Sequence, residues 1–262
     1  MVVERRYNIT LTAQVPLRIG GPQDLLSQAE NPVAIVGGRV VVPGSSLKGR
    51  LRAEIESMLI DSYYDAANQA WPSDKRPFQP CLPTTNPSQD ELGLVRAGRY
   101  RDKWEPERGG PGWSCTYTDR EASPSICPAC YFLGAMGLPG FVRVPFLYAD
   151  GSPAQLYSAT MDRATGTVRS GTNRPYDLVP QGTRFTGALA VVMQDTRLAW
   201  RLGQRRPVRA GTQGDAWLPQ DGTAPQELLE TFILKPLRAI SLLGGYKSKG
   251  FGEVRLTVEL AG

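Results

Sequence analysis

Four cysteines, Cys81, Cys115, Cys127 and Cys130, are the side chains of this sequence best suited to specific chemistry, and the last two form a Cys-x-x-Cys knuckle. Four thiols can hold a tetrahedral zinc ion, form a redox pair, or sit as plain buried thiols. The sequence contains no histidine, so a four-ligand site would use every cysteine. Such a site would be structural, because four protein ligands leave no position for water. The missing imidazole also excludes a histidine-dependent nuclease or hydrolase, leaving carboxylates, Lys, Tyr or a metal from solution for any catalysis.

Two further groupings could hold an anion. Pro43-Gly44-Ser45-Ser46-Leu47-Lys48-Gly49-Arg50-Leu51-Arg52 reads as a turn with Ser46 as N-cap, entering a helix whose Lys48 and Arg52 lie four apart on one face. Free backbone N–H groups and the macrodipole favour a phosphate there. Near the C-terminus, Lys247 and Lys249 lie in a loop with Gly244, Gly245, Gly250 and Gly252, where the backbone can approach a bulky anion. The same loop also reads as a tight helix-to-strand connection. The chain carries 30 Lys and Arg against 25 Asp and Glu, a net charge of +5, and the cations cluster. Arg39, Lys48, Arg50 and Arg52 form one acid-free stripe, and Arg197, Arg201, Arg205, Arg206 and Arg209 another. Both suit a polyanion, and both also read as solvated faces.

The elements that must position these groups show in the hydrophobic pattern. Residues 7–17 alternate as a half-buried strand, residues 33–36 and 39–42 form a hairpin about Gly37-Gly38, and a helix runs from Leu47 with Leu51, Ile55, Met58 and Leu59 inward. Residues 70–125 are rich in Pro, Gly, Trp and charge without a period and read as an insertion. A second polar excursion covers residues 149–173, followed by a strand at 184–193. Residues 225–243 read as a helix, broken or kinked at Pro236, that buries Leu228, Leu229, Phe232, Ile233, Leu237 and Ile240. A last strand alternates Val254, Leu256, Val258 and Leu260. This order argues for an α+β fold with an antiparallel sheet. With 262 residues and 41% hydrophobic residues the chain can cover a sizeable core. No apolar run reaches membrane-span length and no signal-peptide core is visible, so a cytoplasmic protein is expected.

Six motifs in order, Ile19-Gly20-Gly21, Asn31-Pro32-Val33, residues 42–52, Asp162-Arg163-Ala164-Thr165-Gly166, residues 179–185 and residues 244–252, resemble those of the RAMP superfamily. The likeness is strongest to the repeating Csm/Cmr-type backbone subunit of type III CRISPR effectors. The resemblance implies a single domain over residues 1–262 with a modified RNA-recognition-motif (ferredoxin-like) core. It also implies a zinc-bearing insertion at about residues 70–130, a protruding thumb hairpin at about 149–173 and a glycine-rich loop at 244–252. Its function would be to hold a CRISPR guide RNA for recognition of target RNA in antiviral defence, beside other effector subunits and copies of itself.

Carried over by position, the guide contacts would be Gly20, Gly21, Ser45, Ser46, Lys48, Arg50, Arg52, Arg163, Arg169, Lys247 and Lys249. The resemblance implies that active backbone subunits place an Asp supporting metal-dependent cleavage immediately before the Asn/Ser-Pro-Val segment, and here that position is Glu30. Glu reaches about 1.5 Å further, and metal geometry is sensitive to such a shift. The resemblance thus leaves a magnesium- or manganese-dependent endoribonuclease using Glu30 or Asp24 as the alternative to a purely structural subunit. A third reading, independent of the resemblance, is a basic zinc-stapled module for another anionic partner.

Overall fold

The computed structural model describes residues 1–21, 32–84, 86–102, 113–117, 125–172, 174–207 and 214–262. In chain order its strands are β1 (Val2–Ala13), β2 (Ile35–Val36), β3 (Arg39–Val42), β4 (Val142–Arg143), β5 (Leu147–Ala149), β6 (Ala154–Ser158), β7 (Arg174–Leu178), β8 (Arg184–Asp195), β9 (Trp200–Arg201) and β10 (Val254–Leu260). The helices are α1 (Gly44–Tyr63), α2 (Gln89–Arg96), α3 (Pro128–Leu133), α4 (Pro225–Leu229) and α5 (Lys235–Ala239). The chain divides into two compact units. The first comprises Met1–Arg6, Leu51–Arg143 and Ala190–Pro236, the second Tyr7–Arg50, Val144–Leu189 and Leu237–Gly262.

The second unit is built on antiparallel strands in the order β10-β1-β8-β5-β3-β2. Alternation along β1 buries Tyr7, Ile9, Leu11 and Ala13, as a period of two requires. The register sets Ile9 opposite Val258, Leu11 opposite Leu256 and Ala13 opposite Val254, so buried apolar side chains meet across the ladder. The strand is longer at its start than the alternation indicates, because Val2 to Arg6, which belong to the first unit, are also strand although Glu4, Arg5 and Arg6 hide the pattern. The hairpin about Gly37-Gly38 forms with Ile35 opposite Val40 and Val36 opposite Arg39. Strands β6 and β7 make a separate two-stranded sheet from Ala154↔Leu178 to Ser158↔Arg174.

In the first unit β4 and β9 pair with the C-terminal half of β8. Its core is aromatic: the Trp217 ring centroid lies 5.2 Å from Tyr131, 5.4 Å from Phe232 and 5.9 Å from Phe78. Residues 76–78 form a 3₁₀ turn and α2 stands within the expected insertion. That helix lacks a strong apolar stripe, but its capping box is written in the sequence. Ser88 Oγ accepts from the Glu91 N–H at 3.2 Å, and Glu91 Oε2 accepts from the Ser88 N–H at 2.7 Å.

Two expected boundaries differ. α1 begins at Gly44, and the Pro43 carbonyl accepts from the Ser46 and Leu47 N–H groups, so Ser46 lies inside the first turn and is not the N-cap. The C-terminal helix is interrupted by a π turn at Glu230–Leu234, where the Lys235 N–H donates to Glu230 O. Pro236 has no N–H to give Phe232, and the wide turn absorbs that loss while also burying Leu234 beside the expected stripe. Among the described residues no helix is long and apolar enough to cross a membrane.

Candidate metal centre and nucleic-acid interface

In the first unit, Cys127 and Cys130 flank the start of α3, while Cys81 and Cys115 arrive from the irregular segments before it. All four are buried and none is in a disulfide. Their sulfurs lie within 4.8 Å of one another, with Cys81 to Cys130 at 3.5 Å and Cys127 to Cys81 at 3.7 Å. A tetrahedron with 2.3 Å metal–sulfur bonds has edges of about 3.8 Å, so the set could hold a metal ion such as zinc. The Cys115 N–H points at Cys81 Sγ at 3.3 Å and the Cys127 N–H at Cys115 Sγ at 3.4 Å, contacts that favour thiolate. Burial opposes ionisation of Cys127, but hydrogen bonds from the Cys115, Cys130 and Cys81 thiols and the Arg52 charge pull its thiol well below the ordinary range.

Arg52 is placed differently from the phosphate contact expected of it. Its side chain is buried, with Nη2 3.2 Å from Cys81 Sγ and Nη1 3.5 Å from Cys130 Sγ. Its Nε lies 2.7 Å from Glu56 Oε1. A guanidinium one turn further along α1 than Lys48 therefore faces sulfur and carboxylate and is about nine-tenths buried. Burial pushes the Glu56 carboxyl up to about 7 despite the neighbouring Arg52 charge, and Tyr100 donates its hydroxyl to Glu56 Oε2 at 3.1 Å. Arg101, Tyr100 and Glu56 were not singled out in the sequence. The readable trace was the opposite-charge spacing of Arg52 and Glu56, four residues apart.

The second unit gathers the motif segments. The Gly20–Val33 bridge and the Ala34 N–H donated to Ile19 O join the first glycine motif to the Pro32-Val33 segment. Leu17 and Val179 exchange both backbone hydrogen bonds, at 2.9 and 2.7 Å. Gly245 N–H donates to Arg18 O at 2.9 Å and Gly252 N–H to Pro16 O at 3.1 Å. Residues 16–21 are thus a seam stitched on three sides by segments from distant parts of the sequence. Gly244 has φ +83°, and a Cβ there would lie 2.3 Å from Arg18 O. This glycine is needed to close the seam within the chain, independently of any ligand.

The Tyr246 ring is capped by Arg18 at 4.4 Å and Lys249 at 4.6 Å from its centroid, and it packs against Tyr176 and Phe251. Gly20, Ser45, Ser46, Lys48, Arg163, Arg169, Lys247 and Lys249 are exposed, and Gly21 and Arg50 are half-buried. Gly44, just before the two serines, admits no side chain, because a Cβ would lie 2.7 Å from Val144 O. Asp162 shapes the Asp-Arg-Ala-Thr-Gly turn by accepting from the Ala164 and Thr165 N–H groups at 2.9 and 3.1 Å, and Arg163 stands on that turn. Glu30 and Asp24 lie outside the described residues.

In the second arginine stripe Arg209 lies outside the described residues, and Arg205 and Arg206 are engaged within the chain. Arg206 is bound at 2.7 and 2.8 Å by the buried carboxylate of Asp215, Arg205 donates to Leu218 O at 2.7 Å, and Arg197 pairs with Asp195 at 3.6 Å. Counting charge along the sequence overstated what this stripe offers a polyanion, since the Arg206 charge is met by the buried Asp215 carboxylate and Arg205 is tied to the Leu218 carbonyl, whereas Arg197 stays exposed.

No curated protein sequence gives a significant match to this chain. The family model of the RAMP superfamily matches residues 10–255, a span that takes in both the seam and the cysteine centre. The chain belongs to the RAMP superfamily, which is associated with RNA binding and with type III CRISPR complexes.

Proposed function

We propose that this chain is a guide-RNA-binding backbone subunit of a type III CRISPR effector complex, holding the guide for recognition of target RNA. The observation that carries the reading is the seam at residues 16–21, where motif segments from four parts of the sequence meet by backbone hydrogen bonds. The same unit carries the exposed Lys48, Arg163, Arg169, Lys247 and Lys249. Exposed cations beside open backbone suit phosphates, whatever the base sequence. Arg18 and Lys249 both lie over the Tyr246 ring, which gathers positive charge on the loop where an RNA backbone would run. In this reading the excursion at about residues 149–173 is the thumb, with β6 inside it and β7 (Arg174–Leu178) beyond its expected end, the sheet is a modified RNA-recognition-motif core, and the cysteines hold a structural zinc that staples the insertion.

Expressed with the remaining effector subunits, the chain should co-purify with guide RNA. Ultraviolet cross-linking should then attach that RNA to peptides covering residues 16–21, 45–50 and 244–252. Cross-links confined to peptides of the first unit would overturn the reading.

A further inference from the structure

We propose that Arg52 and Arg101 are outer-sphere donors to the centre of Cys81, Cys115, Cys127 and Cys130, offsetting the charge of a bound metal thiolate and setting how firmly the ion is held. The proposal rests on the metal reading of the four cysteines and concerns two arginines whose side chains reach the cysteine sulfurs.

Four thiolates around a divalent ion leave a net charge of minus two. A buried dianion is stable only beside compensating charge and hydrogen bonds. Two guanidinium groups stand there. Arg52 Nη2 lies 3.2 Å from Cys81 Sγ and 3.5 Å from Cys130 Sγ, and its Nη1 lies 3.5 Å from Cys130 Sγ. One planar fork thus spans two of the four sulfurs, and Nη2 also donates to Cys81 O at 3.3 Å. Glu56 holds the far side of the fork through Nε at 2.7 Å.

Arg101 approaches from the other chain segment. Its Nε donates to Gln79 O at 2.7 Å, Nη1 to Ser125 O at 2.7 Å and Nη2 to Pro77 O at 3.0 Å. These carbonyls fix its orientation but carry no net charge. Its Nη1 is 4.0 Å from Cys115 Sγ, so its positive charge faces the sulfurs with weaker direct bonding than Arg52. The two guanidinium charges oppose the minus two of the loaded site, with Glu56 taking up part of the Arg52 charge when its carboxyl is ionised. Hydrogen bonds to a ligand sulfur withdraw electron density from it, and outer-shell partners of this kind change metal affinity by roughly 10–100-fold.

The test uses the full chain loaded with cobalt(II) as an optical reporter for zinc, in wild type, Arg52→Met, Arg52→Lys and Arg101→Met. Sulfur-to-cobalt charge-transfer absorption reads electron density on the thiolates, and transfer of the ion to a chelator reads how firmly it is held. Wild type should take up one cobalt per chain in a tetrathiolate spectrum. Arg52→Met should move the charge-transfer band to lower energy and speed metal transfer by roughly tenfold, with Arg52→Lys returning both part of the way. Arg101→Met should shift the band in the same direction by less. Should Arg52→Met fail to fold, Arg52→Gln, which keeps a donor without charge, provides the same comparison. Variants with the wild-type band and transfer rate would overturn the proposal while leaving the metal centre standing. A wild-type chain that takes up no cobalt would overturn the metal reading, and the proposal with it.

Discussion

Asp215→Asn should be among the most damaging isosteric changes in the first unit. The Arg206 and Asp215 side chains are 2% and 1% exposed. Asp215 accepts from the Arg206 backbone N–H at 3.0 Å, from Nε at 2.8 Å and from Nη2 at 2.7 Å. The guanidinium also lies over the rings of Tyr131 at 4.7 Å, Trp200 at 5.3 Å and Phe141 at 5.6 Å. The amide of asparagine removes the charge and turns one acceptor into a donor facing another donor, leaving a buried cation uncompensated. Breaking one side of such a pair costs about 3–5 kcal/mol, or roughly 10 °C in Tm for a chain of this size. Urea unfolding followed by tryptophan fluorescence reads the loss directly, since Trp200 flanks the pair. Replacing both partners, as Arg206→Met with Asp215→Leu, should recover most of the stability because no charge is then left alone. An Asp215→Asn chain within about 1 kcal/mol of wild type would refute the premise that this pair is desolvated and mutually dependent.

Glu56→Gln should alter how stability depends on pH. The folded carboxyl titrates at about 7 against an ordinary value of 4.5, so the folded state keeps its proton to higher pH and wild-type stability falls as pH rises through that window. Between pH 5.5 and 8 the wild type should lose about 2 kcal/mol that the Gln chain retains, and parallel urea midpoints would contradict this. Cys127→Ser should abolish metal retention in elemental analysis of the purified chain, whereas one ion per chain in that variant would argue against a four-thiolate site. Gly244→Ala forces a Cβ to within 2.3 Å of Arg18 O at a φ of +83° and should cost more than about 1 kcal/mol by thermal unfolding; an unchanged Tm would mean the seam yields easily.

The period-two strands β1, β8 and β10 and the Gly37-Gly38 hairpin were legible because burial writes alternation directly into sequence, and the four cysteines were legible as one group because no histidine competes for the role. What was not legible depended on distant neighbours. Arg52 looks like Lys48 in sequence, but the sulfurs of Cys81 and Cys130 lie 29 and 78 residues away, and no local pattern announces them. Arg206 likewise loses its surface role to Asp215, nine residues further along the chain. The π turn before Pro236 was readable only as a break, since the sequence specifies a missing donor and not how the helix absorbs it. α2 escaped because its apolar face is weak, although Ser88 and Glu91 marked its start.

The most direct test of the account is the salt dependence of single-stranded RNA binding, followed by fluorescence anisotropy for wild type and for the chain carrying Lys48→Ala, Lys247→Ala and Lys249→Ala. Each phosphate contact contributes about 0.7 to the slope of log affinity against log salt. The account predicts a triple variant that folds normally, binds more weakly at every RNA sequence tried, and has a slope shallower by about 2. An unchanged slope and affinity in the folded triple variant would contradict the claim that this unit's exposed cations hold the RNA backbone.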